Sequence, residues 1–146
     1  MQSNRQFWVL GHKVTSIETV GNYALLEVAA TPGIPGPPPH FHKDAPELFH
    51  IVSGSLEVLC NSVWRRLESG ESFLVPRGEI HTFRNNLSEE ARFMTTWSPR
   101  GFEGFFFEFG VPVGEDNAFE RSLAPELLQR AVSGCGKYGM VLAGSS

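Results

Sequence analysis

The chain has 146 residues, enough for one domain with a real core but too few for two barrels or a fused DNA-binding module. Its 12 Lys plus Arg against 16 Asp plus Glu leave a net charge of −4, which gives no electrostatic reason to expect nucleic acid or an anionic membrane as partner. The two cysteines, Cys60 and Cys135, match no paired-thiol motif, so free thiols in a reducing compartment are expected.

The N-terminal stretch carries Asn, Gln and Arg before a short apolar Phe7-Trp8-Val9-Leu10. That run is neither a signal-peptide core nor long enough to span a bilayer, and a cytoplasmic protein is expected. Residues 7–10 and 14–18 read as early strands, with His12 between them as an ordinary surface or edge histidine. Gly21-Asn22 signals a turn before 23–29, an apolar run suited to a strand buried on both sides. Residues 31–39, rich in Pro and Gly, form a loop. Strands over 48–52 and 56–60 are joined through Ser53-Gly54-Ser55, and 63–67 returns after Asn61-Ser62. Residues 73–75 lead into Val75-Pro76-Arg77-Gly78, whose proline at the second position and glycine at the fourth suit a type I turn. His81 opens the next strand with Phe83 on the same face, and 91–97 is the last long strand.

Beyond it the pattern changes. Six of the twelve phenylalanines fall between Phe93 and Phe109, and so much aromatic surface must be buried, either by a short helix closing the end of the fold or by packing across a dimer. The tail, residues 117–133, has helix signals. Pro125 suits a first-turn position, Leu127, Leu128 and Val132 make an apolar stripe, and Gly134 is the stop. Residues 136–139 and the Gly-Ser-Ser end read as loop and tail. Short, evenly spaced strands with almost no helix before the tail predict a single all-β domain over 1–146, a sandwich or barrel.

The chemistry concentrates behind Pro37-Pro38-Pro39. Alternation along a strand puts His40 and His42 on one face with Phe41 turned away. Glu47, five residues further on, would face away if the strand continued, but Pro46 cannot donate to a ladder and breaks it. The phase can then reset and turn Glu47 inward. His81 supplies a third imidazole, so that His40, His42, Glu47 and His81 read as one site for a divalent transition metal, one per chain. Iron, manganese, nickel, cobalt, copper and zinc are all compatible with three imidazoles and a carboxylate, and an octahedral ion would keep two positions open. By alternation from Glu47, Phe49 and Ile51 face the same cavity and His50 faces out. Phe93, Thr95 and Trp97 are expected opposite the ligands, and Phe49, Ile51, Phe83, Phe93 and Trp97 form an apolar substrate wall.

These residues resemble the cupins. The first cupin motif, His-x-His, four residues, Glu, six residues, Gly, is met by His40, His42, Glu47 and Gly54. Only its leading glycine departs, since Gly33 lies one residue too far from His40 and Gly36 too close. The second motif is met at every position by Gly70, Pro76, Gly78, His81 and Asn85. The resemblance covers about 23–110 and implies a double-stranded β-helix of jelly-roll type. It is similar to small single-barrel cupins called quercetin-dioxygenase-like, which often form homodimers, here through outer strands and the Phe-rich end. It further implies an oxygenase acting on an enol or enediol bound through its oxygens, with Glu47 as ligand or general base. Two other functions fit the same residues: a non-catalytic small-ligand binder, and a metal-dependent isomerase or cyclase.

Overall fold

The computed structural model describes residues 5–144. Residues 1–4 of the N-terminal stretch and the last two of the Gly-Ser-Ser end lie outside it. Twelve strands in chain order build two facing sheets: β1 Arg5–Val9, β2 His12–Ile17, β3 Ala24–Ala30, β4 His40–His42, β5 Glu47–Ser53, β6 Ser55–Cys60, β7 Val63–Glu68, β8 Ser72–Val75, β9 His81–Arg84, β10 Ala91–Trp97, β11 Val111–Pro112 and β12 Met140–Leu142. One sheet runs β11-β1-β2-β3-β10-β5-β8 and the other β12-β4-β9-β6-β7. This is the double-stranded β-helix of the cupins, with helices α1 Glu103–Phe109, α2 Ala118–Ser122 and α3 Pro125–Gly134 after the last long strand.

Period-2 patterning explains which faces meet. Leu26, Val28 and Ala30 on β3, Phe49 and Ile51 on β5, and Phe93 and Trp97 on β10 are buried between the sheets. Their strand neighbours mostly lie nearer solvent, as expected where one face is core and the other is wet. Full burial of each large apolar side chain is worth roughly 1.5–3 kcal/mol, so this shared face sets the register.

Two close approaches shape the loop before the ligand strand. A Cβ on Gly36 would lie 1.9 Å from the Phe83 carbonyl oxygen, so only glycine lets the Pro-rich loop pass this near β9. At the other turn Glu79 N–H donates to Pro76 O at 3.2 Å, and Gly78 has φ +86°. The turn therefore spans Pro76–Glu79, one residue later than the sequence pattern predicts, with glycine at the left-handed third position of a type II turn. Gly78 N–H also donates to His42 O at 3.0 Å, which ties the turn to the ligand strand. Asn85, the last residue of the second motif, is a structural clamp: its Nδ2 donates to Ala30 O and Glu89 O, and its Oδ1 accepts from Leu87 N–H.

The Phe-rich segment is the closing helix rather than an unsupported patch. Phe102, Phe105 and Phe109 are buried on this chain's own barrel, and Phe102 stacks on Phe105 with ring centroids 5.2 Å apart. Helix α3 begins with Pro125 in its first turn and ends at Gly134, as its sequence signals require. Residues 136–139 form a turn, as expected, and the three residues after them add a strand that the sequence alone leaves unassigned. After a 3-10 turn, Cys135–Tyr138, the chain enters β12, which pairs antiparallel with β4, Met140 opposite His42 and Leu142 opposite His40. Both cysteines are free and buried. No helix among the described residues is long and apolar enough to cross a membrane.

Candidate metal centre

The ligand set is assembled from both sheets. His40 and His42 project from β4, and His81, directly opposite His40, projects from β9 in the same sheet. Glu47 comes from the facing sheet, where β5 pairs with β10 and sets Glu47 against Trp97. The break at Pro46 is thus a change of sheet: the chain leaves one wall after His42 and enters the other at Glu47, which turns its side chain back toward the histidines.

All four side chains are buried, each less than 7% exposed. One ligand atom from each lies within 4.8 Å of all the others. Two donors held ~2.1 Å from a common ion sit roughly 3.0 Å apart when adjacent and roughly 4.2 Å when opposite, so the cluster needs only small closure to grip one cation. His42 Nε2 is 3.1 Å and His81 Nε2 3.0 Å from Glu47 Oε1, while Thr95 Oγ1 donates to Oε2 at 2.7 Å.

Tautomers are set from behind. His40 Nδ1–H donates to Pro38 O at 2.8 Å and His81 Nδ1–H to Glu79 O at 2.9 Å. These bonds leave the Nε2 atoms for the centre, the usual outer support of a metal-bound imidazole. The charges agree. Burial, helped by the neighbouring charges of His81 and His42, pushes His40 down to about 3, so it is a neutral ligand at any ordinary pH. Burial also works against charge on Glu47, but hydrogen bonds from His42 and His81 prevail and hold its carboxyl well below the usual range. For His81 burial works against the charged form, and the Glu47 carboxylate outweighs it to raise the pKa. The donor set is thus an anion surrounded by imidazoles, with protons where a divalent cation would sit. The residues fit a transition metal.

The centre opens onto a cavity of about 70 Å³. At ~10–15 Å³ per water this admits on the order of five waters, or a small organic molecule. Phe49, Phe83, Phe93 and Trp97 line it as expected from alternation, and Phe102, Phe105 and Phe106 cover it from the start of α1. Ile51 is a correction. It is fully buried in the core but is not among the side chains that line the cavity, although Phe93 opposite it on β10 is.

His12 is a second correction. It is only 3% exposed and lines the cavity. Its Nδ1 accepts from Thr31 N–H at 3.1 Å and its Nε2–H donates to Pro35 O at 2.8 Å, so it staples the Pro-rich loop and has no lone pair left for a metal. The signal was present in the sequence, since His12 shares a strand face with Val14. Burial lowers its pKa below the ordinary 6.5, with only partial opposition from the Pro35 hydrogen bond. A histidine depressed in this way stabilises the fold at pH above its unfolded value and loses that contribution as pH falls through and below 6.5. His12→Gln is therefore expected to be less stable than the parent at pH 7.5, with the gap narrowing at pH 5. Urea unfolding at the two pH values measures this, and a gap independent of pH would show that His12 is not held neutral.

Comparison with known proteins agrees with this geometry. The family model described as "Cupin domain" matches residues 26–97. "Protein SchB" of Streptomyces halstedii is 32% identical over 60 residues, which is 41% of this chain and 44% of that protein, so the match spans less than half of either. KdgF from Halomonas sp. superposes with a TM-score of 0.57 at 24% identity, over 62% of this chain and 80% of that one. An oxalate oxidase structure superposes with a TM-score of 0.53 at 26% identity, over 62% of this chain and 52% of that one. With both sequence motifs meeting at one buried cluster inside a double-stranded β-helix, residues 26–97 form a cupin domain.

Proposed function

We propose that this cupin is a metal-dependent dioxygenase, of the quercetin-dioxygenase-like kind, acting on a small apolar enol. The observation that carries the reading is the buried three-histidine, one-glutamate cluster placed against a cavity whose remaining wall is almost wholly apolar, phenylalanines and Trp97 beside aliphatic side chains. His40, His42, Glu47 and His81 would hold the metal, which when bound supplies Lewis acidity and a redox partner for dioxygen. The rest falls to the protein. Glu47 takes the enol proton and returns it to a product, and Thr95 holds the carboxylate's second oxygen in place during the transfer. The phenylalanines of the α1 segment exclude water from the reacting centre. Cleaving the enol double bond with one dioxygen gives a ketone or aldehyde and a carboxylic acid, so both oxygen atoms are accounted for.

The likeness to an oxalate oxidase fold supports oxidative chemistry on a small ligand in such a barrel. A sugar is disfavoured on the same wall. Outside the four ligands its polar side chains are His12, Thr82, Thr95 and the indole of Trp97; the donors of the first three are committed, Thr82 Oγ1 to Pro37 O among them, which leaves the Trp97 N–H. Few groups remain to recognise hydroxyls.

The test is oxygen uptake by protein reconstituted separately with each candidate metal, using acetylacetone as a small enol and a flavonol as a bulky one. Uptake with acetylacetone and little with the flavonol is expected, because the cavity admits only a handful of heavy atoms. Stoichiometric metal with no uptake under any condition would reject the dioxygenase in favour of a binder or an isomerase.

A further inference from the structure

The metal cavity adjoins a much larger space. Leu10, Pro37, Thr82 and Phe83 line both that cavity, of about 70 Å³, and a surface groove of about 560 Å³. Ile34, Pro38, Trp64, Leu123 and Leu128 make most of the groove's remaining wall apolar.

Three of the four shared residues are tied down. Thr82 Oγ1 donates to Pro37 O at 2.5 Å, which fixes both. Phe83 belongs to β9, and its ring stands edge-on to His12 and Phe93 with centroids 5.3 and 5.2 Å away. Leu10 stands outside the ladders, on the two-residue turn between β1 and β2.

That turn carries an uncommon residue. Val9 pairs with His12 across it, and Leu10 and Gly11 have φ +50° and +85°, the left-handed pair of a type I′ hairpin. Asn, Asp or Gly ordinarily takes the first of these positions, because other side chains crowd the left-handed backbone. Neighbours hold the leucine in place. Gly11 N–H donates to Ser122 Oγ at 3.0 Å and Gly11 O accepts from Thr31 Oγ1 at 2.5 Å, so the turn is fixed to α2 on one side and to the residue after β3 on the other. A backbone kept against its preference points to a task for the side chain. Here that side chain packs on the core where the two spaces meet.

We infer that Leu10 is the specificity-determining stopper of the site: its side chain closes the metal cavity off from the groove and so limits the substrate to a small enol. Without that side chain the two spaces join. An enol with a bulky apolar arm then fits, its oxygens at the centre and its arm among Trp64, Leu123 and Leu128. The inference rests on the inner cavity being the substrate site, and not on which reaction follows there.

The test is a fluorescence titration of metal-free and zinc-loaded protein with unsubstituted flavonol, in the parent, Leu10→Gly, Leu10→Asn and the double variant Leu10→Gly with Leu128→Glu. Glycine and asparagine both suit the turn, so either keeps the test valid if the other loosens the hairpin, and circular dichroism and zinc content check the fold and the centre. Leu10→Gly is expected to bind flavonol saturably and ~10-fold or more tightly than the parent, since a misfit of even one methylene makes about that difference in an apolar pocket. Leu10→Asn should fall between them. Leu128 is on α3, 41% exposed, and lines the groove but not the metal cavity, so Leu128→Glu should take back the gain by setting a charge where the arm lies. Binding no tighter than the parent's in both Leu10 variants overturns the stopper. So does a gain that Leu128→Glu leaves intact, because the ligand then lies elsewhere. Tighter, Leu128-sensitive binding with no oxygen uptake from any enol keeps the stopper and rejects the dioxygenase, whereas acetylacetone consumed without any gain in flavonol binding rejects the stopper and keeps the dioxygenase.

Discussion

His42→Ala is expected to abolish stoichiometric metal uptake while His50→Ala binds metal as the parent does. The two residues sit in consecutive strands and differ in where they point. His42 is buried with Nε2 3.1 Å from Glu47; His50 is exposed and its Nδ1 shares a hydrogen bond with Ser72 Oγ at 2.7 Å. Losing an outer hydrogen bond to a ligand already weakens metal binding by ~10–100-fold. Removing a ligand outright therefore costs more than about 100-fold, since the alanine methyl leaves a coordination position unfilled and the buried Glu47 carboxylate with only His81 and Thr95. Metal content by elemental analysis after dialysis against a weak chelator gives the comparison, with circular dichroism confirming that both variants are folded. Equal losses in the two folded variants would overturn the assignment of strand faces, and with it the site.

That assignment was legible because it follows from local geometry. Side chains alternate along a strand, which is enough to pair His40 with His42 and to send His50 outward, and Pro46, which cannot donate to a ladder, is enough to show that the phase restarts at Glu47. Helix α3 was readable for the same kind of reason, a proline at its start and a glycine at its end. What escaped depends on distance through space. Strand β12 has three residues and pairs with β4 about a hundred positions earlier, and nothing in Met140-Val141-Leu142 itself announces that partner. Ile51 has the right phase, but phase alone does not separate a side chain packed in the core from one on the cavity wall. The His12 reading rested on the lack of a partner nearby in sequence, whereas its partners are backbone groups of a loop that folds over it.

Glu47→Gln is expected to lower turnover per bound metal by ~10²–10⁴-fold, the usual contribution of a positioned general base, with a much smaller loss of metal. Three imidazoles remain, so the ion keeps most of its ligands, while the amide keeps the side chain's size and one acceptor oxygen. It cannot take a proton from an enol. Its NH2 group must also face either the Nε2 atoms of His42 and His81 or the hydroxyl of Thr95, where the carboxylate now accepts from each. Thr95 can adapt by rotating its hydroxyl to accept, which directs the amide oxygen toward the histidines and preserves the cluster. Thr95→Val removes that accommodation without touching the centre directly. It is expected to lower turnover by less than Glu47→Gln, and in the double variant to worsen metal retention beyond the sum of the single effects, because the amide's donors then face a methyl group. Oxygen-uptake rates divided by measured metal content separate the two roles of Glu47. A rate per metal unchanged by Glu47→Gln removes the base role and leaves the carboxylate as a ligand alone.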